Sequence, residues 1–126
     1  MILTTLHTPS SYEAIDRFVD AFPAEQHSQV RLQLSTTLQA VLYQSLVPAA
    51  DKTGVVPAVE VLVATSAIRN LIREAKSYQM INFMHSGQDV GMQTLDQALM
   101  ELHHAGKISR QNAFSRLRAP ERYKPE

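Results

Sequence analysis

Residues 66–76 read SAIRNLIREAK. Ile68, Leu71, Ile72 and Ala75 recur at helical spacing and form an apolar stripe, with Thr65 or Ser66 in position to cap the helix start. Beside that stripe Arg69, Arg73 and Lys76 recur at i, i+4 and i+7, and like charges one turn apart repel. Such a helix needs two neighbours: a core for its stripe, and a partner for two arginines that slightly oppose their own helix. The rest of the chain must supply the first.

Immediately upstream, SLVPA (45–49) and VVPAVEVLVA (55–64) flank Asp51, Lys52, Thr53 and Gly54, a turn-forming cluster. The pattern predicts a β-hairpin with Val59, Val61 and Val63 on one face, and prolines suited to sheet edges or strand ends. Before it, Val30, Leu34, Leu38, Val41 and Leu42 predict a long helix over 25–44. Ser10 and Glu13 have capping-box spacing, and Ile15, Phe18, Val19 and Phe22 mark a helix stopped by Pro23. The opening MILTTL is β-rich and reads as a strand, one with no neighbour to satisfy its backbone.

Downstream, a helix is expected around 78–85, then the break SGQDVG (86–91). Met92, Leu95, Leu99 and Leu102 predict a helix closed by Gly106, and Ser109 caps a last one containing Phe114 and Leu117. RAPERYKPE (118–126) reads as a loose tail. The class is α/β with a helical C-terminal half.

Twelve Lys plus Arg balance twelve Asp plus Glu, so no global basic field draws the chain to nucleic acid or anionic lipid. With no cysteine there is no disulfide framework, thiol nucleophile or Cys-containing zinc site. No run approaches the ~20 apolar residues that span a bilayer, so a soluble protein is expected. Gly54, Gly87, Gly91 and Gly106 do not make a phosphate-binding loop. The adjacent His103 and His104 are expected to be solvated, and neither H-E-x-x-H nor G-x-S-x-G occurs.

Two places remain open to a functional reading. His7 follows the expected strand, with Thr4, Thr5 and Thr8 beside it. It is either a ligand group at a carboxyl strand end or a histidine satisfied by backbone. In GMQTLDQAL (91–99), Gln93, Asp96 and Gln97 are polar groups around an apolar stripe, which physics reads first as a helix start after a loop.

Taken together, TLHT (5–8), IDRFVDAFP (15–23), LSTTLQAVLYQSLVP (34–48), AIRNLIREAK (67–76) and GMQTLDQAL (91–99) closely resemble the C-terminal part of the type IV pilus retraction ATPases, within the secretion ATPase superfamily. The resemblance implies the later portion of a RecA-like P-loop ATPase domain. Residues 1–64 would be a partial α/β segment (His-box strand, two helices, hairpin), 65–118 the helical part and 119–126 a tail. In that family a PAS-like domain precedes the RecA-like one, six subunits form a ring, and ATP with Mg2+ binds between the domains. The family's Walker A loop, Asp box, Walker B segment and first half of the His box would all precede Met1, making the opening strand an interior strand of a larger sheet.

By the same resemblance His7 matches the second His-box histidine, near the nucleotide phosphates. Arg69, Asn70, Arg73 and Glu74 lie in the AIRNLIRE segment associated with retraction, and are candidates for contacts with other subunits or the pilus machinery. The implied partners are a homohexamer and an inner-membrane platform protein, at the cytoplasmic face of that membrane. No cofactor or activity is expected of the 126-residue chain alone. A truncated, non-catalytic interaction module of the same ring is the alternative. Zero cysteines favour the retraction branch over relatives with a four-cysteine zinc insertion.

Overall fold

In a computed structural model of the chain, residues 1–123 are described. Helix α1 (Ser11–Asp20) starts where Ser10, in extended conformation, accepts the Glu13 N–H on its Oγ at 3.1 Å and donates that hydroxyl to the Glu13 carboxylate. Ile15 and Val19 are buried, whereas Phe22 lies beyond the helix and is exposed.

Helix α2 (His27–Thr37) is shorter than the spacing predicts. It ends at Leu38, whose ψ of 134° turns the chain into strand β1 (Ala40–Pro48). Val41 and Leu42 are therefore strand residues facing opposite ways, Val41 half-buried and Leu42 exposed. Helical and strand spacing coincide over this stretch, and alternation through Tyr43 and Val47 decides it.

The hairpin forms as expected. β1 pairs antiparallel with β2 (Val55–Val63) in a register running from Ala40 opposite Val63 to Pro48 opposite Val55. In the turn Asp51 accepts the backbone N–H and hydroxyl of Thr53, which hold its carboxyl below the usual range. Val59, Val61 and Val63 share a face, but the more deeply buried face of β2 carries Ala58, Glu60 and Leu62. The other face leaves Leu42, Leu46 and Val55 exposed.

The second half is helical: α3 (Ser66–Arg73), α4 (Met80–Ser86), α5 (Leu95–His104) and α6 (Arg110–Phe114). Thr65 caps α3, Ser109 caps α6, and Thr94 with Gln97 makes a full capping box on α5. The loop before α5 seals the edge of β2: Gln93 exchanges backbone hydrogen bonds with Val61, and its side-chain amide donates to the Val59 carbonyl at 2.8 Å. Gln93, Gln97 and Asp96 are thus bound into the fold rather than displayed.

Two helices end in one pattern. After α3, Lys76 N–H bonds Leu71 O at 2.9 Å and Ala75 N–H bonds Ile72 O. After α5, Lys107 N–H bonds Leu102 O and Gly106 N–H bonds His103 O, both at 2.9 Å. These are Schellman closures, with Ala75 at φ 56° and Gly106 at φ 70° in the left-handed position. Ala75 is thereby exposed outside the helix, and the buried stripe of α3 is Ile68, Leu71 and Ile72 alone.

The core has two apolar clusters. Ile15, Leu62, Ile68, Leu71, Ile72, Met80, Met84 and Met92 join α1, α3 and α4 to one end of the hairpin. Val47, Ala58, Leu95, Ala98, Leu99, Ile108 and Ala113 join α5 and α6 to the other. Between Ala58 and Leu62, on the same face of β2 and in the seam of the two clusters, lies Glu60.

Two further sequence expectations fail. MILTTL is not a strand: residues 1–8 have no regular structure, since among the described residues the sheet has two strands and neither pairs with them. Met1, Ile2, Leu3 and Leu6 are exposed, as expected of an apolar segment without neighbours. Nor is the C-terminal segment loose up to 123. Pro120–Tyr123 is a 3-10 turn, and the residues before it are tied to the core. Residues 124–126 of the expected tail lie outside the described residues.

Candidate functional site

The basic face of α3 lies against α2. Arg69 donates from Nη1 to the backbone carbonyl of Ser35 at 2.6 Å, and Arg73 donates from Nη1 to the Ser35 hydroxyl at 3.3 Å. Ser35 is fully buried, and its hydroxyl donates to Leu32 O at 2.7 Å. Arg73 also reaches the Asn70 side-chain carbonyl. The neighbour that the basic stripe of α3 meets within this chain is therefore α2. Arg69 meets a carbonyl of its own chain, one of those left unpaired by the end of α2. Arg69→Ala is therefore expected to lower stability by about 1–2 kcal/mol, the net worth of a partly buried hydrogen bond to a charged group, measurable by urea unfolding. Arg73→Ala should cost less, because Arg73 is exposed.

Glu74 stands apart. It pairs with Lys76 at 2.9 Å, and this contact holds its carboxyl below, and the lysine above, their ordinary ranges. Both are exposed, so the pair adds little stability. His7 is exposed, and among the described residues its ring has no hydrogen-bond partner and no bond to the arginines. Thr8 beside it closes a local turn onto Ser10 O at 3.0 Å.

A polar centre that sequence reasoning missed lies at the seam of the core. Glu60 Oε1 accepts both the N–H and the hydroxyl of Ser11 at 2.7 Å. Its Oε2 accepts Leu95 N–H at 3.3 Å and Arg118 Nη1 at 2.6 Å. Ser11 and Leu95 are the first residues of α1 and α5, so two helix N-termini, each carrying a partial positive charge, converge on one carboxylate. The Arg118 guanidinium lies 5.3 Å above the ring of Tyr43, which is paired with Glu60 across the strands, and its Nη2 donates to Pro9 O.

Asp96 fixes the backbone of the same segment, accepting the N–H groups of Arg118 and Ala119, each at 2.9 Å. A cavity of about 80 Å³ opens beside it, lined in part by Tyr12, His85 and Thr94. Burial, with the charge of Arg122, pushes His85 below its ordinary value, and burial with Asp96 pushes the Tyr123 phenol up. The signal in the sequence was one glutamate amid an apolar strand, which at that burial requires a cationic or N–H partner.

Gly87 and Gly91 bracket one 3-10 turn (Gln88–Val90), no cluster of three metal-binding side chains occurs among the described residues, and His7 lines neither this cavity nor a groove of about 310 Å³ between β2 and α5. No helix is long and apolar enough to cross a membrane among the described residues.

No protein-family profile matches the chain. Among known proteins it is 46% identical over 123 residues to the type IV pilus retraction ATPase PilT of Pseudomonas aeruginosa, covering 98% of this chain and 36% of that protein. It is 42% identical over 116 residues to a twitching motility protein of Neisseria gonorrhoeae, covering 92% and 31%. In structure it matches the pilus retraction motor PilT solved with bound ADP, with a TM-score of 0.77 and 38% identity over 93% of this chain and 32% of that one. The chain spans about a third of the length of these relatives, and over that third it is similar in sequence and in α/β fold to the PilT-type pilus retraction ATPases.

Proposed function

We propose that these residues serve as the C-terminal part of the RecA-like domain in a hexameric ATPase that retracts type IV pili, working at the cytoplasmic face of the inner membrane against a platform protein. The observation that supports the reading is the match along nearly the whole chain to a retraction motor that binds ADP. His7 lies near the nucleotide phosphates in this reading. Arg69, Asn70 and Arg73 present a basic face whose geometry is set by Ser35, and Glu74 with Lys76 lies at its C-terminal rim. The chain alone supplies no phosphate cradle, so turnover belongs to the longer protein with ATP and Mg2+.

The test is His7→Ala in the full-length ATPase. A side chain beside the phosphates orients the reacting end without anchoring the adenine or ribose. Turnover is therefore expected to fall about tenfold or more, with KM for ATP within about threefold. Unchanged turnover with weakened nucleotide binding would remove His7 from the reaction.

A further inference from the structure

We infer that Arg118 is a positioning residue for His7, because with Glu60 it clamps the turn from which the His7 segment leaves α1. The inference rests on the functional reading above.

The clamp closes on both sides of that turn. Arg118 Nη2 donates to the carbonyl of Pro9, and Glu60 Oε1 accepts the N–H and hydroxyl of Ser11. The guanidinium and the carboxylate are themselves joined at 2.6 Å, so the hydrogen bonds from Pro9 through Arg118 and Glu60 to Ser11 make a ring that the backbone closes through Ser10. His7 precedes Pro9 by two residues, at most about 7 Å of extended chain, and the Thr8 hydroxyl bond to Ser10 O shortens that reach. The ring therefore fixes the base from which His7 projects.

Arg118 is held more firmly than an ion pair requires. Its own N–H and that of Ala119 bind Asp96, its guanidinium stacks over Tyr43, and its two terminal nitrogens face different acceptors. Neutralising buried Glu60 needs one of those nitrogens. The second, on Pro9, does nothing for the buried charge, and it is the bond that acts on the His7 segment. Arginine can serve both acceptors with a planar fork, whereas lysine offers a single point charge.

Arg118→Lys separates the two jobs, since it leaves Glu60 with a cation. In the 126-residue chain, backbone relaxation of His7 and Thr8 is expected to drop from a rigid order parameter to below about 0.6, while residues of α1 keep theirs. In the full-length ATPase, turnover should fall about tenfold with KM for ATP within about twofold, and the Arg118→Lys, His7→Ala double variant should be no slower than His7→Ala alone. Unchanged order at residues 7 and 8, or losses that simply multiply in the double variant, would overturn the positioning role while leaving the assignment of His7 intact. Wild-type turnover in His7→Ala would overturn that assignment and this inference with it.

Discussion

Glu60→Ala is expected to cost about 3–5 kcal/mol of folding stability. Truncation strands the N–H groups of Ser11 and Leu95 and the Ser11 hydroxyl in the interior, where each lost acceptor costs about 1–3 kcal/mol if no water replaces it. It also leaves the Arg118 guanidinium against Tyr43 with no anion, although that group, at 29% exposure, can be partly rehydrated. Glu60→Gln keeps the shape and one acceptor oxygen, so its loss should be clearly smaller. Urea unfolding of the three proteins measures this directly. A midpoint for Glu60→Ala within error of the parent would mean that the two helix starts and the C-terminal segment are held by other contacts.

Ile72→Ala should cost about 3–4 kcal/mol. Ile72 is fully buried among Leu62, Ile68, Met80 and Met84, which come from the sheet, α3 and α4, so the surrounding elements cannot all collapse into the space left behind. Ile72→Val, removing one methyl, should lose about 1 kcal/mol. Leu42→Ala, on the outward face of β1 at 68% exposure, should change stability by less than about 0.5 kcal/mol. Equal midpoints for Ile72→Ala and Leu42→Ala would place the core elsewhere.

That contrast follows what could be read in the sequence. Ile68, Leu71 and Ile72 were legible as a buried stripe because helical spacing and aliphatic side chains agree there, and the Ser10 and Ser109 caps were legible because their hydrogen bonds are local. The hairpin was legible from its turn. The first half of its first strand was not, because Leu38, Val41 and Leu42 satisfy a helix, and the helix ends at Leu38. The opening strand failed for the opposite reason: MILTTL has strand chemistry, but a strand exists only with a partner.

The polar centre was hidden by distance along the chain. Glu60 and Arg118 are 58 residues apart, and nothing local in RAPERYKPE distinguishes an anchored arginine from a solvated one. Ser35 was hidden likewise, since a serine near the end of a helix gives no sign that two arginines 34 and 38 residues later will bind it. The resemblance pointed to Arg69 and Arg73 but carried no information about which group they touch.

The matched closures of α3 and α5 differ in the residue at the left-handed position, and that difference separates their backbone cost. Glycine adopts the left-handed position freely at Gly106, whereas Ala75 holds it against a steric cost of about 1 kcal/mol. The last turn of α3, which carries Arg73 and Glu74, therefore bears a backbone cost that the last turn of α5 does not.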